Sequence, residues 1–172
     1  VRLAGLEWEL LADFGSATRQ VSWREIQARL RPREAVLEFV RYYREGQADR
    51  ARYGALLLRA EDPAPVFTAL PEEKKVQELL PFLSGKEDAS APLNKFYGGE
   101  TASPLYPLLW EPLQPLLERI DRIYFSPAGL LHRINLGAMS AGGHKRLADR
   151  FELVRLNSSR QLVEGAEEKP AG

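Results

Sequence analysis

Three short apolar runs between residues 35 and 70, separated by brief polar breakers, constrain the fold of this chain more than any other feature. The first, "AVLEFVRYY" (35–43), is rich in β-branched and aromatic residues, which suit a pleated, half-buried backbone. After the polar stretch "REGQADRAR" comes "YGALLLRA" (53–60), and after the breaker "EDP" comes "APVFTAL" (64–70). Short polar connections between runs of this kind predict an antiparallel meander.

Helical patterns flank the meander. Leu3, Leu6, Leu10, Leu11 and Phe14 share helical spacing, and "FGSATRQ" breaks the pattern. In "VSWREIQARLRP", Ser22 stands three residues before Glu25, a capping box in which each side chain satisfies the other's free amide. Trp23, Ile26 and Leu30 share one face, and Pro32 prevents much extension because Arg31 before it disfavours the helical region. Pro71 suits the first turn of a helix carrying Val76, Leu79, Leu80 and Leu83, which Pro81 ends or kinks. Residues 84–102 read as a mobile loop.

The run "SPLYPLLWEPLQPLLERI" (103–120) holds four prolines yet keeps an apolar stripe through Leu105, Leu108, Leu109, Leu113, Leu116, Leu117 and Ile120. Ser103 is the expected cap with Pro104 behind it, while Pro112 and Pro115 should kink or split the element. "RIYFSP" (122–127) fits a buried strand, Gly129 a turn needing positive φ, and "LLHRINL" (130–136) a return strand. A Gly-rich connection with one helical turn leads to a further strand in "FELVRLN" (151–157). Ser158 or Ser159 then caps a helix near "RQLVEG", and residues 164–172 read as a disordered tail. The mixture of helices and strands predicts an α/β domain. Trp8, Trp23 and Trp110 read as packing residues.

Composition narrows the chemistry. A chain of 172 residues suits one domain with a proper core. Acidic and basic residues number 24 each, so net charge does not direct the chain to nucleic acid or an anionic membrane. Arg29, Arg31 and Arg33 cluster locally and read as a solvated helix end rather than a phosphate-binding patch. No apolar run approaches the ~20 residues of a membrane span. There is no cysteine, so this chain has no disulfide, thiolate metal site or cysteine nucleophile, and it suits a reducing, cytoplasmic compartment. Its first residue is Val1, which points to a longer parent.

Ser126 and His132 lie six residues apart around a turn, the one spacing that invites a nucleophile and base. Ser126 lacks the glycine-framed elbow of a hydrolase and fits a turn-bonding role instead. His132 reads as structural, and His144, in a Gly-rich loop, is too far along the chain to share a metal-ligand spacing with it. The Gly pairs at 98–99 and 142–143 have no phosphate-loop sequel. The residues nominate no catalytic, cofactor or metal site.

Three blocks in order resemble the N-terminal half of a CHAT domain, the caspase-like region often found behind tetratricopeptide repeats. They are "VSWREIQARLRPREAVLEFVRYY", with Glu34 at its turn, "LYPLLWEPLQPLLERIDRIYFSPAGLLHRINLGAM", and "FELVRLNSSRQL", together spanning residues 21–163. The chain has Ala128-Gly129 where the family turn carries Asp before Gly, and Asn135-Leu136-Gly137 where a proline–aromatic pair is usual.

The resemblance implies a caspase-like sandwich, of which this chain holds the N-terminal part, with residues 1–20 readable as the end of a preceding helical repeat. It implies a clan CD cysteine peptidase whose catalytic His and Cys lie in later blocks, so no catalytic residue carries over to this chain. The implied partners are the C-terminal half of the domain or an associated chain, tetratricopeptide repeats, and a protein substrate or regulator. A non-catalytic interaction module on the same scaffold is the alternative, and a small hydrolase using Ser126 and His132 the third reading. An incomplete sheet should leave an apolar strand edge open and favour association.

Overall fold

A computed structural model describes residues 20–80 and 96–167. They form an α/β arrangement around one mixed, open five-stranded sheet, ordered β3-β2-β1-β4-β5. The strands are β1 (Glu34–Tyr43), β2 (Ala51–Arg59), β3 (Val66–Glu72), β4 (Arg122–Ser126) and β5 (Glu152–Arg155). The first three form the expected antiparallel meander. β4 then joins β1 in parallel, and β5 joins β4 in parallel, so three parallel strands make up one half of the sheet.

Alternation of side chains divides the strands between two cores. Ala35, Leu37 and Phe39 of β1, Ile123 and Phe125 of β4, and Tyr53 and Leu57 of β2 face the larger one. The proline-rich run covers it, with Leu105, Leu109, Trp110, Leu113 and Leu117 all essentially buried. Each fully buried leucine of this kind contributes about 1.5–3 kcal/mol. The run is split as its prolines require: an α-helical turn at Tyr106–Leu109 gives way to a 3-10 helix at Glu111–Leu117. Ser103 is not the helix cap the sequence suggests: the helix starts at Tyr106 after Leu105, and Ser103 Oγ accepts the Leu105 N–H at 3.2 Å in the turn before it.

The opposite face carries a smaller core of Val36, Leu58, Trp23, Ile26, Leu30 and Val163. It is covered by the Trp23–Gln27 helix and the Gln161–Glu167 helix. The capping box at the first of these is complete: the Ser22 N–H donates to Glu25 Oε2 at 2.9 Å, and the Glu25 N–H donates to Ser22 Oγ at 3.4 Å. Ser158 Oγ accepts the Arg160 N–H at 3.4 Å at the start of the last helix. That helix runs through Glu167, so its final turn occupies the beginning of the stretch expected to be a disordered tail.

A row of charge runs across the three parallel strands, where Glu34, Arg122 and Glu152 are register partners. Arg122 reaches Glu34 at 3.2 Å and Glu152 at 2.7 Å. Glu34 is buried at the first position of β1 and also accepts the Arg31 N–H at 2.9 Å from the turn before it. Arg33 takes a left-handed φ of 69° in that turn, and its side chain pairs with Asp121.

Two expectations are corrected here. Residues 130–136 do not return as a strand; they form 3-10 turns at Gly129–Arg133 and Leu136–Ala138. Pro71 does not open a helix but lies in β3, and the following helix is Glu73–Glu78. β3 is a sheet edge, and its register with β2 shifts between Arg52 and Gly54, so a residue without an N–H fits there. The helix expected over residues 3–14, Trp8, and most of the loop expected over 84–102 lie outside the described residues.

Candidate functional site

The stretch from β4 to β5 holds the residues with chemical potential, and the turn after β4 is fastened from below. Gly129 has φ +53°, and a Cβ there would stand 2.7 Å from the Tyr53 hydroxyl. That hydroxyl donates to Glu73 Oε1 at 2.7 Å and accepts the Leu130 N–H at 2.8 Å. Arg41 closes the node with bonds of 3.0 and 2.8 Å to the two Glu73 oxygens. The Arg41 guanidinium holds the Glu73 carboxyl below the usual carboxylate range, against the opposing effect of burial and with help from the Tyr53 hydroxyl. Burial is the main cause that raises the Tyr53 phenol far above its ordinary value, so it stays a neutral donor.

Ser126 and His132 are not brought together as a catalytic pair. Parity places Ser126 on the face of Arg122 and Tyr124, where it is the register partner of Glu38. It is buried, and its Oγ donates to the Asn157 carbonyl at 3.0 Å. The turn-bonding role expected for it is replaced by a tie between the ends of β4 and β5. His132 sits on the other side, exposed on the 3-10 turn, with Nδ1 3.1 Å from Arg155 Nη2. Arg155 also donates to the His132 carbonyl at 3.3 Å.

His144 belongs to a different place. It takes φ 58° in the 140–146 loop, and its N–H donates to the Gly99 carbonyl at 2.7 Å. Among the described residues, no group of three or more His, Asp or Glu side chains is placed to hold a metal ion. No described helix is long and apolar enough to cross a membrane. Of the local arginine cluster, Arg33 is engaged by Asp121, while Arg29 and Arg31 are exposed.

A second polar cluster lies at the carboxyl ends of the parallel strands. Ser159 Oγ–H donates to the Glu38 carboxylate. Burial pushes the Glu38 carboxyl up, and the Ser159 bond partly offsets that. This pair docks the start of the last helix on β1.

What sequence reading missed is a groove of about 660 Å³ along β5. Phe151, Leu153 and Arg155 line it together with Tyr97, Phe125 and the segment from His132 to Gly137. A signal was present in "FELVRLN": Arg155 has the same parity as Phe151 and Leu153, so a cation stands on an otherwise core-facing side of the strand. Among the described lining residues no serine or threonine stands beside His132. Comparison with known proteins gives no matching family model and no matching curated protein.

Proposed function

We propose that this chain is the N-terminal frame of a CHAT-domain, caspase-like cysteine peptidase, and that it scaffolds a catalytic half lying elsewhere on the same or an associated chain. The observation that carries the reading is the open edge of β5. Three parallel strands end there, and no described strand pairs with its outer side. Such an edge is a ready template for further strands. The catalytic half then supplies the histidine and the cysteine thiolate that attacks a peptide carbonyl. The frame supplies a sheet to pack on and the fastened turn at Gly129–Arg133. Cytoplasmic residence and association with tetratricopeptide repeats are part of the same proposal.

The test is to read the coding sequence beyond Gly172 and to express this chain together with what it encodes. Hydrolysis of a fluorogenic peptide library that disappears when the encoded cysteine becomes alanine supports the reading. A reading frame without a histidine block and a strand-end cysteine overturns the peptidase account. It leaves a non-catalytic docking module, for which the groove along β5 is the specific support.

A further inference from the structure

The groove along β5 has a chemistry that narrows its occupant. This inference rests on the reading of the chain as a docking frame and adds to it the kind of segment that docks. The Glu152 N–H donates to the Asp121 carbonyl at 2.7 Å, and the Leu156 N–H to the Phe125 carbonyl at 2.8 Å. Strand alternation then turns the backbone N–H and C=O groups of Leu153 and Arg155 outward. The Asn157 N–H is occupied by Gln161 Oε1 at 2.8 Å, which ends the usable edge at Arg155. At ~3.3 Å per residue, the edge offers room for about four residues of an added strand.

Charge selects among strands that could add there. Arg133 and Arg155 line the groove, and the one acid among its described lining residues is Glu152. Glu152 has the opposite parity to Leu153 and is held by Arg122 at 2.7 Å on the other face of the sheet. The side toward the groove therefore presents cations beside an apolar floor of Phe125, Phe151 and Leu153.

We propose that the groove receives an extended acidic segment of a partner polypeptide, which adds a strand to β5 and sets a carboxylate against Arg155 and Arg133. Main-chain bonds to Leu153 and Arg155 supply the strand pairing, and alternate side chains supply selection: apolar ones on the floor, an acidic one at the cationic end.

The test uses the full 172-residue chain with two synthetic probes read by amide shifts in NMR titration: the capped pentapeptide Glu-Thr-Val-Thr-Glu, whose first, third and fifth side chains share the face toward the groove in either strand direction, and its Lys-Thr-Val-Thr-Lys counterpart. The expected result is saturable shifts centred on residues 151–157 with the acidic probe at least ~10-fold tighter than the lysine probe, since each tenfold corresponds to about 1.4 kcal/mol. Leu153→Pro removes an outward N–H without touching the β4 ladder and should abolish binding. Arg133→Glu, which changes an exposed groove cation and leaves the bonds from Arg155 to His132 in place, should weaken or reverse the preference and keeps the test open if the proline variant fails to fold. Equal affinity for both probes, no binding of either, or shifts away from β5 would overturn the proposal. A concentration-dependent dimer that Leu153→Pro dissolves, without acidic-probe binding, would assign the edge to a second copy and also overturn it. None of these outcomes depends on peptidase activity, so the peptidase reading and this one fail separately.

Discussion

Tyr53 donates its hydroxyl hydrogen to Glu73 at 2.7 Å across the gap between β2 and the helix that follows β3. The same oxygen accepts the Leu130 N–H, so one buried phenol joins the meander, a helix and the turn after β4. That turn leads the chain out of β4, the strand that joins β1 to β5 in the parallel half of the sheet. Its shape is set from the far side of the core by a residue 77 positions earlier in the chain.

Replacing Tyr53 with Phe keeps the ring packing and removes both bonds. Leaving a buried donor or acceptor unsatisfied costs about 1–3 kcal/mol, so Tyr53→Phe should lose ~2 kcal/mol in urea unfolding. The Leu130 amide should exchange with solvent markedly faster. Unchanged exchange at Leu130 would show that the node does not hold the turn.

Gly129→Ala meets two obstacles at once. The residue has φ +53°, a region that costs a non-glycine residue about 1–2 kcal/mol, and its new Cβ would stand 2.7 Å from the Tyr53 hydroxyl. The variant should be destabilised by at least ~2 kcal/mol. In a Tyr53→Phe background the penalty should shrink, because the clashing oxygen is gone; a double-mutant cycle measures this directly.

Two glutamates should give pH dependences of opposite sign. The Glu73 carboxyl is depressed below its ordinary 4.5, chiefly by Arg41. Its contribution to stability is present above that ordinary value and is lost as pH falls through the lowered one. The Glu38 carboxyl is raised above its ordinary 4.5, chiefly by burial. Its folded form favours the proton, so stability falls as pH rises from the ordinary value through the raised one. Glu38→Gln keeps an acceptor for Ser159 and should raise the melting temperature at pH ~7 while changing little at pH ~4. Glu73→Gln should lower it at pH ~7, with the loss fading in acid.

Ser126→Ala distinguishes a tie from a nucleophile. Ser126 is buried and donates to the Asn157 carbonyl at 3.0 Å. Its loss should cost about 1 kcal/mol and loosen the start of the last helix, as amide exchange at residues 157–161 would report. Any hydrolytic activity should be untouched; its abolition in a folded variant would revive the hydrolase reading.

All five observed strands overlap segments legible in the sequence because local chemistry and tertiary burial agree there. β1 and β2 are dense in apolar residues on both faces, and both faces are covered. The capping box at Ser22 and Glu25 was legible because it needs only four consecutive residues. The segment after Gly129 was not. "LLHRINL" reads equally as a strand or as a pair of tight turns until its amides are assigned. The Leu130 N–H goes to Tyr53, and the Leu131 and Ile134 amides bond the carbonyls of Ala128 and Leu131 three residues back. Pro71 misled because its rule depends on whether the strand is an edge, which local sequence does not state. The groove along β5 depends on Arg155 meeting His132 across 23 residues, a contact that only the fold creates.

The central claim is that β5 is an edge awaiting a partner. Amide hydrogen exchange at Leu153 and Arg155 tests it most directly, measured in this chain alone and again with the acidic probe peptide at saturation. The account predicts rapid exchange at both amides in the chain alone and strong protection in the complex, with Val154 protected by β4 in both. Protection already present in the chain alone as a monomer, or no gain with the probe, would contradict it.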